Sequence, residues 1–259
     1  MGVLAEILEA KRRSLARLGD EPLPAPPPRR AVELGRPPGA PLRLLCEIKL
    51  RSPSAGPLSR RLTVGERARA YERGGAHMVS VLCDEEFFGG SFSDLGEARL
   101  GTKLPLLCKD FVLHERQLDL ARAWGADAVL LIARCVGDRL GHLVDESRAR
   151  ELEPLVEVTS EEEAARAIAT GARLVGVNAR DLDTSVIDQE RAARVLASLP
   201  RAVTAIHFSG LATPADIARV AASRADAALV GEALMREDDP EPLLGALVAA
   251  ALASAEIPG

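Results

Sequence analysis

Two opposite charges stand two residues apart near the start of the apolar part of the chain, Glu47 and Lys49. Side chains at positions i and i+2 of a β-strand point to the same face, so this carboxylate and this ammonium should lie side by side. Pro53, in the run Ser-Pro-Ser-Ala-Gly, ends the strand because proline cannot continue a central ladder. A carboxylate and an ammonium in one pocket can act as a general base and a general acid. The competing interpretation is a solvated ion pair at a strand end.

More charged and amide side chains follow the later apolar runs of the chain. These residues are Asp84, Glu85, Lys109, Asp110, Glu157, Asn178 and Arg180. A single charged residue after a strand is usually a solvated loop residue. Two lysines, two carboxylates and an amide aimed at one place favour a catalytic constellation.

The elements that must position these residues are eight apolar, β-rich runs, mostly continuous rather than alternating, as in parallel strands buried on both faces. The runs cover residues 44–48, 77–83, 105–108, 128–132, 154–158, 174–177, 203–208 and 227–230. Helical patterns separate them at residues 63–76, 93–100, 114–125, 139–150, 160–171, 188–199, 213–223 and 240–252. Ser160 and Thr213 are typical N-caps, and Gly125 and Gly171 are typical helix ends. Eight strand–helix units in strict alternation predict an α/β fold, the (β/α)8 TIM barrel, rather than an open doubly wound sheet.

The last two predicted strands end in small residues, Ser209-Gly210 after the seventh and Gly231-Glu232 after the eighth. Glycine lets backbone N–H groups approach an anion, and the loops after strands seven and eight are the recurrent phosphate site of this fold. An ordinary strand-to-helix turn also uses glycine, so either position alone is weak. The two together favour a phosphorylated substrate.

The amino-terminal region has a different character from the barrel. Residues 3–18 have helical apolar spacing, with a predicted basic outer face at Lys11, Arg12 and Arg13. Residues 21–41 are rich in proline and typical of an extended linker. We therefore expect two units, a helix with its linker at residues 1–40 and a barrel domain at residues 41–259.

Composition narrows the class of partner. The chain has 259 residues, 47% of them hydrophobic, with a net charge of −5 and no long run of one sign. This balance argues against nucleic acid or an anionic membrane as the partner, and no apolar run is long enough to span a bilayer. We expect a cytoplasmic protein, a monomer or weak homo-oligomer, that binds a small phosphorylated molecule. The four cysteines are widely spaced, which predicts free thiols rather than a disulfide or metal site.

An ordered set of motifs resembles the indole-3-glycerol phosphate synthase family over nearly the whole chain. EIKLRSPSAG at residues 47–56 matches the family's ExKxxSPSxG signature. The other matching motifs are YERGGA with SVLCDEEFFGGS, PLLCKDF, PLVEVT, VGVNARDL and VGEALMR, in that order. The resemblance is specific because the motifs occur as an ordered set. A single short motif such as SPS or KDF would not be specific.

This resemblance implies the ring closure of 1-(2-carboxyphenylamino)-1-deoxyribulose 5-phosphate, with loss of CO2 and water, in tryptophan biosynthesis. It implies no metal and no organic cofactor, and a helix that covers the mouth of the barrel together with the rest of residues 1–40. Lys109 would be the general acid, and Lys49 would bind the substrate and assist dehydration. Glu47 and Glu157 are both candidate bases, and the choice between them stays open.

The resemblance also assigns substrate contacts. Asn178 would fix the hydroxyl groups of the substrate. Ser52 and Arg180 would hold the phosphate together with the segments Ser209-Gly210 and Gly231-Glu232. The aromatic ring would lie among Pro53, Phe88 and Phe111, with Phe208 lining the same pocket.

One position departs from the family pattern. The family carries an acidic residue at the end of the seventh strand, usually in Ser-Glu-Ser-Gly, where this chain has Phe208. By alternation Phe208 should share the inward face with Ile206, whereas His207 should point away as a structural residue that faces a helix. One alternative is a paralogue of specialised metabolism that acts on a related phosphorylated arylamine sugar or performs part of the reaction. Another is a non-catalytic binder of a phosphorylated ligand, and an isomerase of the same fold ranks last.

Overall fold

Eight parallel strands form a closed barrel in the computed structural model, which describes residues 2–17, 19, 22–53 and 56–255. The strands are β1 Arg43–Ile48, β2 Met78–Leu82, β3 Leu106–Lys109, β4 Ala128–Ile132, β5 Glu153–Val158, β6 Leu174–Asn178, β7 Thr204–Phe208 and β8 Ala227–Val230. Strand β1 pairs with both β2 and β8, which closes the sheet. The predicted (β/α)8 barrel is confirmed, and the predicted strand ends agree with the observed ones within one residue.

Helices alternate with the strands, beginning with one that precedes β1. They are α1 Val3–Leu15, α2 Val64–Arg73, α3 Glu85–Phe88, α4 Phe92–Gly101, α5 Glu115–Ala123, α6 Ala133–Val136, α7 Leu140–Ala149, α8 Glu161–Ala169, α9 Gln189–Ser198, α10 Pro214–Ala221, α11 Glu232–Arg236 and α12 Glu241–Ala253. The short helices α3, α6 and α11 were not predicted, nor was a 3-10 turn at Gly137–Arg139 or a two-residue ladder between Arg51–Ser52 and Gly56–Pro57. They contain too few residues to show a helical or strand period. No helix in the described ranges is long and apolar enough to cross a membrane.

Several helix ends follow the predicted signals. The Ser160 side chain accepts a hydrogen bond from the Glu163 N–H, and Thr213 makes a capping box with Asp216 ahead of Pro214. Gly125 and Gly171 have φ angles of 98° and 72°, which place them in the left-handed region that favours glycine after a helix. The two caps fix the first residues of α8 and α10, and therefore the lengths of the loops that connect these helices to β5 and β7.

The core divides into two layers, because successive side chains of each strand point to opposite faces. In β1, Leu44, Cys46 and Ile48 pack outward against the helices, whereas Leu45 packs with the apolar side chains inside the barrel. Glu47 has the parity of Leu45 and therefore points inward, beyond it and towards the carboxyl end of the strand. The four cysteines are free thiols, as predicted.

Helix α1 lies across the carboxyl ends of the strands. Its Leu4 and Ile7 are buried in the same cluster as the apolar interior of the barrel. Lys11 is also buried, with its Nζ 2.8 Å from Asp84 and 2.6 Å from Asp110, so the predicted basic outer face is wrong at this position. Burial lowers the pKa of Lys11, but the two carboxylates outweigh burial and raise it above the ordinary value.

The segment 22–40 packs at the opposite end of the barrel, so the expectation that all of residues 1–40 cover the mouth is wrong for this part. Arg30 donates from its backbone N–H to Asp127, which precedes β4, and from its guanidinium to the carbonyl of Leu104, which precedes β3. Leu34 is 1% exposed and packs into the inner cluster. The linker composition misleads here because extended proline-rich chain can also form a packed strap. The boundary at residue 41 stays a prediction.

We predict that Lys11→Met loosens α1. The substitution leaves Asp84 and Asp110 buried without their cation, and removing one partner of a buried ion pair costs about 3–5 kcal/mol. Hydrogen exchange of the α1 amides in Lys11→Met and in Arg12→Met measures this cost. Arg12 lies exposed on the same helix, so its replacement changes charge equally without removing a buried pair. Equal protection of α1 in the two variants would contradict the role of Lys11.

Candidate active site

A cavity of about 180 Å³ lies between α1 and the carboxyl ends of the strands. Asp84 and Glu85, which follow β2, lie outside this cavity, and Asp84 pairs with Lys11. The residues predicted to act in catalysis or to contact the substrate all line the cavity. They are Glu47, Lys49, Ser52, Pro53, Phe88, Lys109, Phe111, Glu157, Asn178, Arg180, Phe208, Ser209, Gly210, Gly231 and Glu232. Ser54 and Ala55 of the first motif lie outside the described residues. Active sites of this fold lie at the carboxyl ends of the strands, and the cavity has this location.

Glu47 and Lys49 form an ion pair with an Oε1–Nζ distance of 3.2 Å. Their side chains are 5% and 14% exposed, so the interpretation as a solvated surface pair is wrong. Gly231, the residue after β8, leaves room for this carboxylate. A Cβ at position 231 would lie 2.5 Å from Glu47 Oε1, so any other residue would displace the carboxylate.

A second couple joins Lys109 and Glu157, with an Nζ–Oε2 distance of 3.6 Å. The other oxygen of Glu157 accepts a hydrogen bond of 2.8 Å from the Asn178 amide. The Asn178 carbonyl oxygen accepts from the Ser209 hydroxyl at 2.8 Å and from the Arg180 backbone N–H at 2.9 Å. These contacts fix the orientation of the amide, and through it that of the carboxylate. Glu157 Oε2 has no hydrogen-bond partner within the described part of the chain.

The loops after β6 and β7 form the other side of the cavity. Ser209 has a φ angle of 72°, which is uncommon for a residue other than glycine, and Gly210 has the same value. The Arg180 guanidinium donates to the exposed Ser185 carbonyl, and both residues line the cavity. The charge of Arg180 therefore lies where the cavity meets solvent. Hydroxyl, backbone N–H and guanidinium groups on one side of a cavity suit an anion.

Aromatic and aliphatic side chains form the remaining wall. The ring centroids of Phe88 and Phe111 are 6.2 Å apart, with a tilt of 31° between the planes. Sequence reasoning missed Val3, Leu4 and Ile7 of α1, which line the same cavity. Their helical spacing predicted a buried face, and the resemblance implied a helix over the mouth, but neither assigned these three side chains to the cavity. The wall accepts a flat apolar group.

Phe208 and His207 lie on opposite faces of β7, as alternation predicted. Phe208 packs in the inner cluster, and its side chain is part of the cavity wall. His207 points outward, where its Nε2 lies 3.1 Å from the Ser209 carbonyl oxygen. Burial lowers the pKa of His207 to about 4. A neutral ring must be the donor to that carbonyl, which fixes its tautomer and helps to hold Ser209.

Within the described ranges, no group of three or more histidine, cysteine, aspartate or glutamate side chains has the arrangement of a metal site. In the cavity two lysines each pair with one carboxylate, Lys49 with Glu47 and Lys109 with Glu157. A closed barrel of eight strands, with two such couples in a cavity at the carboxyl ends of the strands, has the architecture of a (β/α)8-barrel enzyme.

The particular family is shown by comparison with known proteins. The profile of the indole-3-glycerol phosphate synthase family matches residues 5–247, and the chain belongs to this family of carboxy-lyases. A protein of Micrococcus luteus called indole-3-glycerol phosphate synthase is 43% identical, over 97% of this chain and 99% of its own length. A protein of the same description from Mycobacterium avium is 40% identical, over 96% of this chain and 94% of its own length.

Solved structures of low identity share the fold. A 3-hexulose-6-phosphate synthase aligns with a TM-score of 0.65 at 18% identity, over 81% of this chain and 99% of its own. A thiamine phosphate pyrophosphorylase from Pyrococcus furiosus aligns with a TM-score of 0.63 at 20% identity, over 82% of this chain and 96% of its own. These likenesses concern the barrel alone.

We predict a pH effect on stability from His207. Its pKa of about 4 in the folded chain lies below the ordinary 6.5, so unfolding below pH 6.5 takes up a proton. The stability from burying the neutral ring is complete above pH 6.5 and is lost as the pH falls towards 4. Urea unfolding of the wild type and His207→Asn at several pH values measures this. The wild type should lose up to about 3 kcal/mol more than the variant over this range. Parallel curves for the two proteins would contradict the assignment.

Proposed function

We propose that this chain closes the indole ring of 1-(2-carboxyphenylamino)-1-deoxyribulose 5-phosphate, with loss of CO2 and water. The observation that carries the proposal is the pair of lysine–carboxylate couples, 3.2 and 3.6 Å across, at one mouth of the barrel. Ring closure needs a proton donor at the ketone oxygen, and dehydration needs a second donor at the departing hydroxyl. Two couples on separate strands supply the two steps.

In the first step, the ring carbon that bears the carboxylate attacks the ketone carbon. We assign Lys109 as the general acid that gives its proton to the ketone oxygen as this carbon–carbon bond forms. The carbon–carboxylate bond then breaks, its electrons restore the aromatic ring, and CO2 leaves. Glu157 keeps the Lys109 ammonium paired, and its Oε2 is available to accept a proton or the N–H of the substrate.

In the second step, the new hydroxyl leaves as water and the ring becomes an indole. We assign Lys49 as the donor to the departing hydroxyl, and Glu47 as the base that takes a proton from the carbon next to nitrogen. The two are a matched couple because Glu47 is buried and paired with Lys49, in the space that the absent Cβ of Gly231 leaves. This assignment resolves the choice between the two carboxylates by giving each of them one step.

The remaining residues orient the substrate. We place the phosphate near Ser52 and Arg180, among backbone groups at Gly210 and Gly231 and beside Glu232. The aromatic ring then lies between Phe88 and Phe111, against Pro53, and Asn178 reaches the hydroxyl groups of the sugar. A substrate that is held at both ends keeps its ketone beside Lys109. This fixed geometry increases the reaction rate.

The same proposal gives the protein its partners and place in the cell. We infer a cytoplasmic enzyme of tryptophan biosynthesis that acts on a small phosphorylated molecule and binds neither nucleic acid nor membrane. A monomer or weak homo-oligomer stays the predicted state.

Phe208 favours one variation on this function, a related arylamine sugar phosphate as substrate or a partial reaction. Assays of the wild type and Phe208→Glu with the substrate named above test it. We expect indole-3-glycerol phosphate from the wild type. No product from the wild type together with robust turnover by Phe208→Glu would overturn the proposal, because the missing carboxylate would then be the cause.

We predict that Lys109→Met lowers kcat by about 10²–10⁴-fold, since a positioned general acid contributes that much. Binding of the product should persist because the phosphate and ring contacts remain. Lys103→Met is the matched control, an exposed lysine on the loop before the same strand. Unchanged turnover in Lys109→Met would contradict the role of Lys109 as the general acid. Unchanged cellular function and ligand affinity in this variant would favour a non-catalytic binder of a phosphorylated ligand.

A further inference from the structure

The ring of Phe208 is seated in a notch of the barrel interior. The residue is 2% exposed. Gly176, on the neighbouring strand β6, makes the space, since a Cβ at that position would lie 2.6 Å from Phe208 Cζ. The Leu155 side chain closes the notch, with its Cδ2 3.0 Å from the same point. The tip of the ring therefore points at the β6 backbone, and its position is fixed by shape.

The Lys109 ammonium packs over the face of the Phe208 ring. The Lys109 Nζ lies over the ring, 5.8 Å from its centroid, and 3.6 Å from the Glu157 carboxylate. An ammonium within about 6 Å of a ring face is attracted by the negative charge of the π system. The attraction grows where water is excluded, and the Lys109 side chain is only 18% exposed. Lys109 is thus held from two directions, by an anion and by a π face.

The chemistry of the two contacts differs in a way that matters for a proton donor. A carboxylate can take the proton of the ammonium, whereas an aromatic ring attracts the cation without competing for its proton. A second carboxylate at position 208 would also add a charge to a buried space, at a desolvation cost of several kcal/mol. The ring avoids both effects and supplies attraction of about 0.5–2 kcal/mol.

We propose that Phe208 is a positioning residue for Lys109, and that Gly176 is the residue that makes this position possible. The ring holds the ammonium on the cavity side of Glu157, where the ketone oxygen of the substrate must lie. The kinetic consequence rests on the proposed function, but the positioning itself does not. Both residues act through Lys109 rather than by contact with the reacting atoms.

The position of Lys109 can be read directly, because the chain contains only four lysines, at positions 11, 49, 103 and 109. In protein labelled with 13C-lysine, the ε-methylene signal of Lys109 carries the ring-current shift of a proton near an aromatic face. Its assignment follows from the signal that disappears in Lys109→Arg. Phe208→Leu removes the π face but keeps an apolar side chain of similar size. We expect the Lys109 signal to move downfield in this variant, while the Lys49 signal stays in place.

Two further variants keep the test sharp if Phe208→Leu disturbs the fold. Gly176→Ala keeps the phenyl ring but pushes it out of the notch, so the Lys109 signal should move again. Ile206→Leu changes the same inner face of β7 one layer away from Lys109, and it should leave that signal unchanged. A Lys109 signal that is unmoved in Phe208→Leu and Gly176→Ala, in folded protein, would overturn the proposal.

Kinetics separate this inference from the proposed function. In Phe208→Leu we expect kcat to fall about tenfold, or about 1.4 kcal/mol of transition-state stabilisation, with KM changed less than about twofold. A loss confined to KM, or equal losses in Phe208→Leu and Ile206→Leu, would show a packing role instead. A wild type without turnover would refute the proposed function, whereas the lysine signals would still decide the role of Phe208.

Discussion

The ion pair between Lys109 and Glu157 depends on surroundings from which water is largely excluded. The barrel, α1 and the strap together provide these surroundings. Glu157 is 1% exposed, and each buried charge costs several kcal/mol unless it is paired and hydrogen-bonded. The barrel supplies the apolar surroundings from below. Helix α1 covers the carboxyl end with Leu4 and Ile7, while Leu34 of the strap closes the amino end. The pair therefore lies at the carboxyl end of an apolar barrel interior, where an electrostatic interaction is stronger than in water.

Glycines allow the charged groups to take up their positions. Gly231 leaves the space in which Glu47 lies beside Lys49, and Gly176 leaves the space for the ring beneath Lys109. In both cases a single Cβ would collide with the side chain of a neighbouring strand. The positions of the charged groups in this cavity are thus set partly by missing side chains on neighbouring strands, which the charged residues alone do not reveal.

Much of the fold and the site could be predicted from the sequence because both depend on local patterns. Continuous apolar runs give the strands, and strand ends give the mouth, so Glu47, Lys109 and Asn178 fall in one cavity without any knowledge of distances. Lys11 could not be predicted, because its burial depends on two carboxylates that follow other strands. The strap at residues 22–40 could not be predicted either, since proline-rich chain has the same composition whether it is packed or free. The role of Gly176 could not be predicted, because it depends on the contact with the Phe208 ring of the neighbouring strand.

The proposed function requires one site to carry out both carbon–carbon bond formation and decarboxylation in spite of Phe208. Its most direct test is a single-turnover reaction of the wild type with 1-(2-carboxyphenylamino)-1-deoxyribulose 5-phosphate labelled with 13C in the carboxylate. We expect labelled CO2 and indole-3-glycerol phosphate in equal amounts, formed at the same rate or with CO2 first. Consumption of the substrate without labelled CO2, or CO2 without the indole product, would contradict it.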